Sequence, residues 1–144
     1  MGAGARHRRY LARMAGRQLI SSGSPFEPVV GYSRAVRVGD RVVVSGTAPQ
    51  WPDGVVDPDP AVQARRCFDI IGEALAAAGS SLGDVVRTRV YLVDAADFDP
   101  ISTVHGEVFG TIRPANTTVV VAALLDPAWK LEVEVEAVID RTAE

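Results

Sequence analysis

Seven consecutive residues near the C-terminal end, Leu131-Glu132-Val133-Glu134-Val135-Glu136-Ala137, alternate apolar and acidic side chains without a break. Only an extended strand sends every second side chain to the same face. The segment 130–138 therefore predicts a strand with one apolar face turned into a core and one acidic face carrying Glu132, Glu134 and Glu136. A helix would scatter the same carboxylates around its axis. A chain with this segment has to build a sheet that is covered on one side.

The other elements fall into place around that strand. Ser33–Val38 and Arg41–Gly46 are β-branched runs flanking Gly39-Asp40, a two-residue hairpin signal. Within the second run Val42, Val43 and Val44 are consecutive, which predicts a strand buried on both faces. Residues 48–60 are rich in proline and glycine and form a loop. Pro60 then opens a helix in which Ala64, Cys67, Phe68, Ile71, Leu75 and Ala78 recur at helical spacing, ending at Gly79. Val85–Val93 is a strand whose Val86, Thr88, Val90 and Leu92 alternate with Arg87, Arg89 and Tyr91. A second helix after Asp99-Pro100 carries Ile101, Val104, Val108, Phe109 and Ile112 on one stripe and stops at Pro114. Asn116–Val121 supplies the remaining strand.

The order ββαβαββ predicts an α+β fold, a mixed sheet with two helices packed on one face. The other face is then left for solvent or for another subunit, so a homo-oligomer with sites between subunits is the simplest assembly.

Charge and cysteine content remove several classes of function. Residues 1–17 hold five arginines and no acid, and residues 18–144 hold ten basic against eighteen acidic side chains, a balance of −8. A body of that sign repels a nucleic-acid backbone, so nucleic acid is a disfavoured partner. Residues 1–16 are expected to be a disordered basic tail, with Met14 as a second start point, ahead of a single domain over 17–144. The longest apolar run, Val119–Leu125, spans seven residues, against the roughly 20 needed to cross a bilayer, so no membrane partner is expected. Cys67 is the one cysteine, and His7 and His105 are the two histidines. These exclude an internal disulfide, argue against a metal site and fit a reducing, cytoplasmic setting. No cofactor is expected. Phosphate-binding glycine loops, nucleophile elbows and CxxC pairs are all missing.

Four segments together carry a resemblance. Gly31-Tyr32-Ser33-Arg34-Ala35-Val36, Gly39–Gly46, Arg113-Pro114-Ala115-Asn116-Thr117-Thr118-Val119 and Leu131–Ala137 resemble the signatures of the RidA/YjgF/YER057c/UK114 family, also called the endoribonuclease L-PSP family. The likeness runs from about Gln18 to Ile139. It implies a chorismate-mutase-like fold and a barrel-like homotrimer with clefts between neighbouring subunits. It also implies hydrolysis of reactive imines and enamines to a 2-oxo acid and ammonia. In such members an arginine after the Pro-Ala pair clamps the substrate carboxylate, and a glutamate on the last strand activates water. Backbone groups near the Ser-Gly pair and an aromatic from the Tyr motif line the cleft.

Carried over residue by residue, the resemblance places Tyr32, Ser45, Gly46, His105, Asn116 and Thr118 around a substrate, with Glu132 as the catalytic carboxylate and Glu134 as the alternative in a shifted alignment. The chain departs from the pattern at Asn116, which stands where the clamping arginine is expected; Arg113, three residues earlier, is the alternative clamp. Thr118 stands at a frequent cysteine position and His105 at a frequent asparagine position. Asn116 carries no charge and reaches less far than an arginine fork.

Each residue also has a structural reading. His105 at i±4 from Ile101 and Phe109 is a packed, hydrogen-bonded histidine or a cleft proton carrier. Cys67 reads as an inert core thiol, Trp51 and Trp129 as packing or cleft lining, and the three glutamates as a solvated face or as carboxylates with raised pKa through mutual repulsion.

The expected function is that of a hydrolase of a small imine, enamine or related metabolite. The alternatives are a non-catalytic metabolite-binding trimer and, less favoured by the acidic body, an endoribonuclease.

Overall fold

The computed structural model describes residues 16–143; the basic tail read at 1–16 lies, but for Gly16, outside them. Six strands form one sheet: β1 (Arg17–Ile20), β2 (Ala35–Val38), β3 (Arg41–Thr47), β4 (Val85–Leu92), β5 (Ala115–Val120) and β6 (Leu131–Val138). Three helices accompany them: α1 (Phe26–Val30), α2 (Pro60–Ala77) and α3 (Phe98–Phe109). The spatial order is β1-β2-β3-β6-β4-β5. Every pairing is antiparallel except β4 with β5, which run parallel with α3 as the crossover between them.

The acidic-alternating segment forms β6, at the centre of the sheet. Leu131, Val133, Val135 and Ala137 are buried, while the three glutamates stand on the opposite face. The Gly39-Asp40 hairpin forms as expected, with Val38 opposite Arg41 and Gly39 at φ +59°, a conformation that favours glycine. The α2 helix starts at Asp59, whose carboxylate accepts from the N–H groups of Ala61 (2.8 Å) and Val62 (3.1 Å) ahead of Pro60. It is followed by Gly79 at φ +79°.

The core lies between α2, α3 and the covered face of the sheet. Phe68, Ile71 and Leu75 from α2 and Ile101, Val104 and Phe109 from α3 are buried with Val42, Val44, Val90, Val133 and Val135. Each large apolar side chain so buried contributes about 1.5–3 kcal/mol. Cys67 sits among them, fully buried, and burial pushes its thiol pKa up, which makes it an inert thiol.

The structure corrects the sequence reading in five places. First, β1 and the short α1 precede the first strand read from the sequence; β1 is four residues long and has no apolar alternation to announce it. Second, Val43 is 41% exposed in the single chain, so the chain by itself covers β3 on one face only. Third, a bulge between Val85 and Arg87 turns Val86 outward and gives its inner place to Val85. Fourth, α3 ends at Phe109, before Pro114, and Pro100 lies inside its first turn, where a missing N–H costs nothing. Fifth, β5 begins at Ala115, one residue early.

Candidate functional site

The irregular point in β3 creates the site. Val44 pairs with Val135 and Thr47 with Val133, so three steps along β3 match two along β6 and the Ser45-Gly46 segment bulges. Glu132 packs its carboxyl group directly over Gly46. A Cβ built on that glycine would lie 2.5 Å from Glu132 Oε1, so only glycine allows the approach. Beneath the bulge the Arg34 guanidinium donates from Nη2 to the carbonyls of Ser45 (2.6 Å) and Gly46 (2.8 Å) and to Thr47 Oγ1 (2.9 Å). The Ser45 hydroxyl donates to the Ser33 carbonyl (2.6 Å), which ties the bulge to the segment carrying Tyr32.

Around this point opens a cleft of about 580 Å³, with Tyr32, Arg34, Gly46 and Glu132 at its polar end and Phe26, Val30, Leu125 and Trp129 among its apolar walls. The α1 rim is fixed by Glu27. Its carboxylate accepts from the backbone N–H groups of Ser22 (3.0 Å) and Ser24 (3.3 Å) and from the Ser22 hydroxyl (2.5 Å). Burial opposes that charge, but the hydrogen bonds prevail and hold the Glu27 pKa below its ordinary value.

The three glutamates of β6 share a face and differ in their partners. Glu136 meets Arg41 at 3.0 Å and Arg89 at 3.5 Å. Glu134 accepts from the Tyr91 hydroxyl and has Arg89 at 4.0 Å. Glu132 has no hydrogen-bond partner among the described residues. Its pKa is raised, chiefly by burial, with Arg34 opposing the shift and Glu134 adding to it. The expected mutual repulsion therefore ranks behind desolvation.

The remaining sequence-derived residues form a second group elsewhere. Asn116 on β5 donates from Nδ2 to Thr88 Oγ1 (2.9 Å) and accepts at Oδ1 from the Thr118 hydroxyl (3.0 Å). Thr88, fully buried, lies 2.8 Å from His105 Nε2 on α3. The His105 ring packs on Phe109 (centroids 4.8 Å apart) and Phe68 (5.9 Å), so it is the packed, hydrogen-bonded histidine, and burial lowers its pKa. Thr88 belongs to the helix-covered face and Glu132 to the opposite face, so within one chain Asn116 does not meet Glu132. Arg113, exposed at φ +54°, precedes Ala115, which is in register with Arg87; Glu132 is in register with Tyr91, four residues along β4 or about 13 Å away. It is no clamp for the same chain's Glu132.

Sequence reasoning missed Arg34, Thr88 and, apart from Trp129, the apolar rim. Arg34 stands in the sequence inside the Gly31–Val36 motif, where a basic residue entering an apolar strand is a signal in itself. Thr88 was a hydroxyl at an inward strand position, the kind of residue that needs a partner.

The fold and the bulged, glutamate-bearing cleft can now be set beside known proteins. The sequence profile described as Endoribonuclease L-PSP matches residues 22–139. The chain belongs to that family, also called YjgF/YER057c/UK114. A solved member, Rv2704 from Mycobacterium tuberculosis, superposes with a TM-score of 0.79 at 44% identity, over 85% of this chain and 99% of that one. A RutC family protein from Sinorhizobium fredii is 40% identical over 125 residues, 85% of this chain and 97% of the relative. The crystal structure of Escherichia coli TdcF with bound serine matches with a TM-score of 0.72 at 30% identity, over 85% of this chain and 94% of that one. The matched span contains both polar groups of this family member, the Glu132 cleft and the Asn116 chain.

Among the described residues no three His, Cys, Asp or Glu side chains gather as a metal ion requires, and no helix is long and apolar enough to cross a membrane.

Proposed function

We propose that the chain is a hydrolase of a small imine or enamine, bound in the Tyr32–Glu132 cleft and completed by a second copy of the chain. The observation that carries this reading is Glu132, a half-buried carboxyl group with no bonded partner and a raised pKa, at the polar end of a cleft. A carboxylate paired to arginine, as Glu136 is, makes a poor proton acceptor. Glu132, unpaired and with its pKa raised by burial, is suited to take a proton from water. Water adds to the imine carbon as one of its protons passes to Glu132, which returns it to the nitrogen to give a carbinolamine. Glu132 then takes the hydroxyl proton and delivers it to the amine nitrogen as the C–N bond breaks. The products are a carbonyl compound and ammonia.

The second copy is supported by the surface around the cleft. Phe26 and Val30 on the rim, Leu125 at 96% exposure and Val43 on the bare face of the sheet are all uncovered in the single chain. The resemblance implies a trimer whose clefts lie between subunits. In that arrangement the neighbour's edge, bearing Asn116 and Thr118, closes the cleft that Glu132 opens. Light scattering should then give about three times the 15.3 kDa chain mass; a monomer removes the shared cleft.

A non-catalytic metabolite-binding trimer is favoured by one observation, that TdcF was crystallised with serine, a stable amino acid. Turnover separates the two readings. The imine formed by an amino-acid oxidase should be consumed faster with the protein than without it, with ammonia released in equal amount. Binding of amino or oxo acids with no acceleration selects the binding reading.

A further inference from the structure

Arg34 is a fixed cation without an acid. Its Nη2 is committed to the Ser45-Gly46 bulge, yet among the described residues no carboxylate lies within 4.0 Å of the guanidinium. Nε is buried with no partner, and Nη1 makes no hydrogen bond. Partly buried guanidinium groups are normally paired, because desolvating the charge is costly unless an anion or a full set of acceptors replaces water. Here carbonyls satisfy one nitrogen of three. Glu132, the other charged group of the cleft, is likewise unbonded, so a cation and a carboxyl group face one cavity with their partners missing. Asn116 offers no charge, and Arg113 lies at the far end of the sheet within the chain.

We propose that Arg34 holds the anionic end of the ligand in this cleft, opposite Glu132. The ligand is then a small carboxylate carrying its reactive carbon next to the carboxyl group, with the apolar remainder against Phe26, Val30 and Trp129. This deepens the hydrolase reading and rests on it for the identity of the reactive carbon. The choice of Arg34 rests on geometry alone. Pre-fixing Nη2 to the backbone holds the guanidinium in place, so binding loses little side-chain freedom.

The test uses stable probes and needs no turnover. The full-length protein is titrated with 2-oxobutanoate and with its methyl ester, followed by NMR. The acid should bind about tenfold or more tightly than the ester, the difference expected of a charge-assisted contact. Arg34→Gln should erase that preference, lowering acid affinity about tenfold more than ester affinity, Arg34→Lys should keep part of it, and Arg113→Gln should keep all of it. If the guanidinium only braces the bulge, Arg34→Gln weakens acid and ester alike, and the proposal is overturned. It is also overturned if acid and ester bind the unaltered protein equally, if neither binds, or if the preference survives Arg34→Gln. Should Arg34→Gln fail to fold, Arg34→Lys decides, and an acid preference undiminished in that variant overturns the proposal. Acid preference without imine turnover keeps Arg34 and removes the hydrolase; turnover without acid preference does the reverse.

Discussion

The two polar groups of this molecule use the same kinds of residue and leave them in opposite states. On the helix-covered face His105, Thr88, Asn116 and Thr118 form a chain in which each side chain finds its partner in the next, at 2.8–3.0 Å. On the uncovered face Glu132 and Arg34 share a cleft without bonding to each other, and the acid is unbonded altogether. A closed chain of hydrogen bonds positions its members and gains stability from being complete. Charged groups left open cost stability, and folds keep them where something else binds. The proposed hydrolysis therefore goes with the Glu132 side, and a positioning role with the Asn116 side.

The largest effect should come from the open group. Glu132→Gln keeps the shape and removes the proton acceptor, so imine hydrolysis should fall by about 10²–10⁴-fold in kcat with the fold intact. Steady-state ammonia release measures it. An unchanged rate moves the water-activating role to Glu134, whose bond to Tyr91 would then have to open.

Gly46→Ala tests the same side through shape. Its Cβ would fall 2.5 Å from Oε1 and 3.1 Å from the carboxyl carbon of Glu132, so the carboxyl group must swing away. Because the obstacle is the end of a flexible side chain, folding should survive. Activity should drop about tenfold or more, as expected when a reacting group is displaced by an ångström. Full activity would show that Glu132 need not sit where it does.

How far the sequence spoke for itself follows the same division. Periodicity exposed β6, the hairpin and α2, because a strict alternation or a helical stripe leaves few other folds. It also put Glu132, Glu134 and Glu136 on one face. Which of the three is free was not legible, since that depends on Arg41, Arg89 and Tyr91 arriving from neighbouring strands. Nor was the bulge at Ser45-Gly46, which exists only through the β3–β6 register. Likewise Asn116 was noticed for the charge it lacks, whereas its actual partner, Thr88, is supplied by the parallel pairing of β5 with β4.

On the closed side, Thr88→Val removes the hydroxyl that links Asn116 to His105 without changing the side-chain volume much. Stability should fall by about 1–2 kcal/mol, the cost of leaving buried hydrogen-bonding groups without partners, and Thr88→Ser should recover most of it. Urea unfolding reads both. A loss of turnover with no loss of stability would break the division drawn here and give the chain a catalytic part.

The smallest effect belongs to His105 and is visible only as pH dependence. Burial lowers its folded pKa below the ordinary value of 6.5, so the unfolded chain takes up a proton at a pH where the folded one still resists it. The contribution is fully present above 6.5 and is lost as pH falls through the folded value. Protonated on both nitrogens, the ring can only donate to Thr88, whose hydroxyl hydrogen then has no acceptor in the ring. Melting temperature should therefore decline between pH 7.5 and 5 more steeply in the unaltered protein than in His105→Gln, whose amide can still meet Thr88 but does not titrate. Equal slopes would mean that the ring stays hydrated in the folded state and that its packing against Phe68 and Phe109 does not govern its charge.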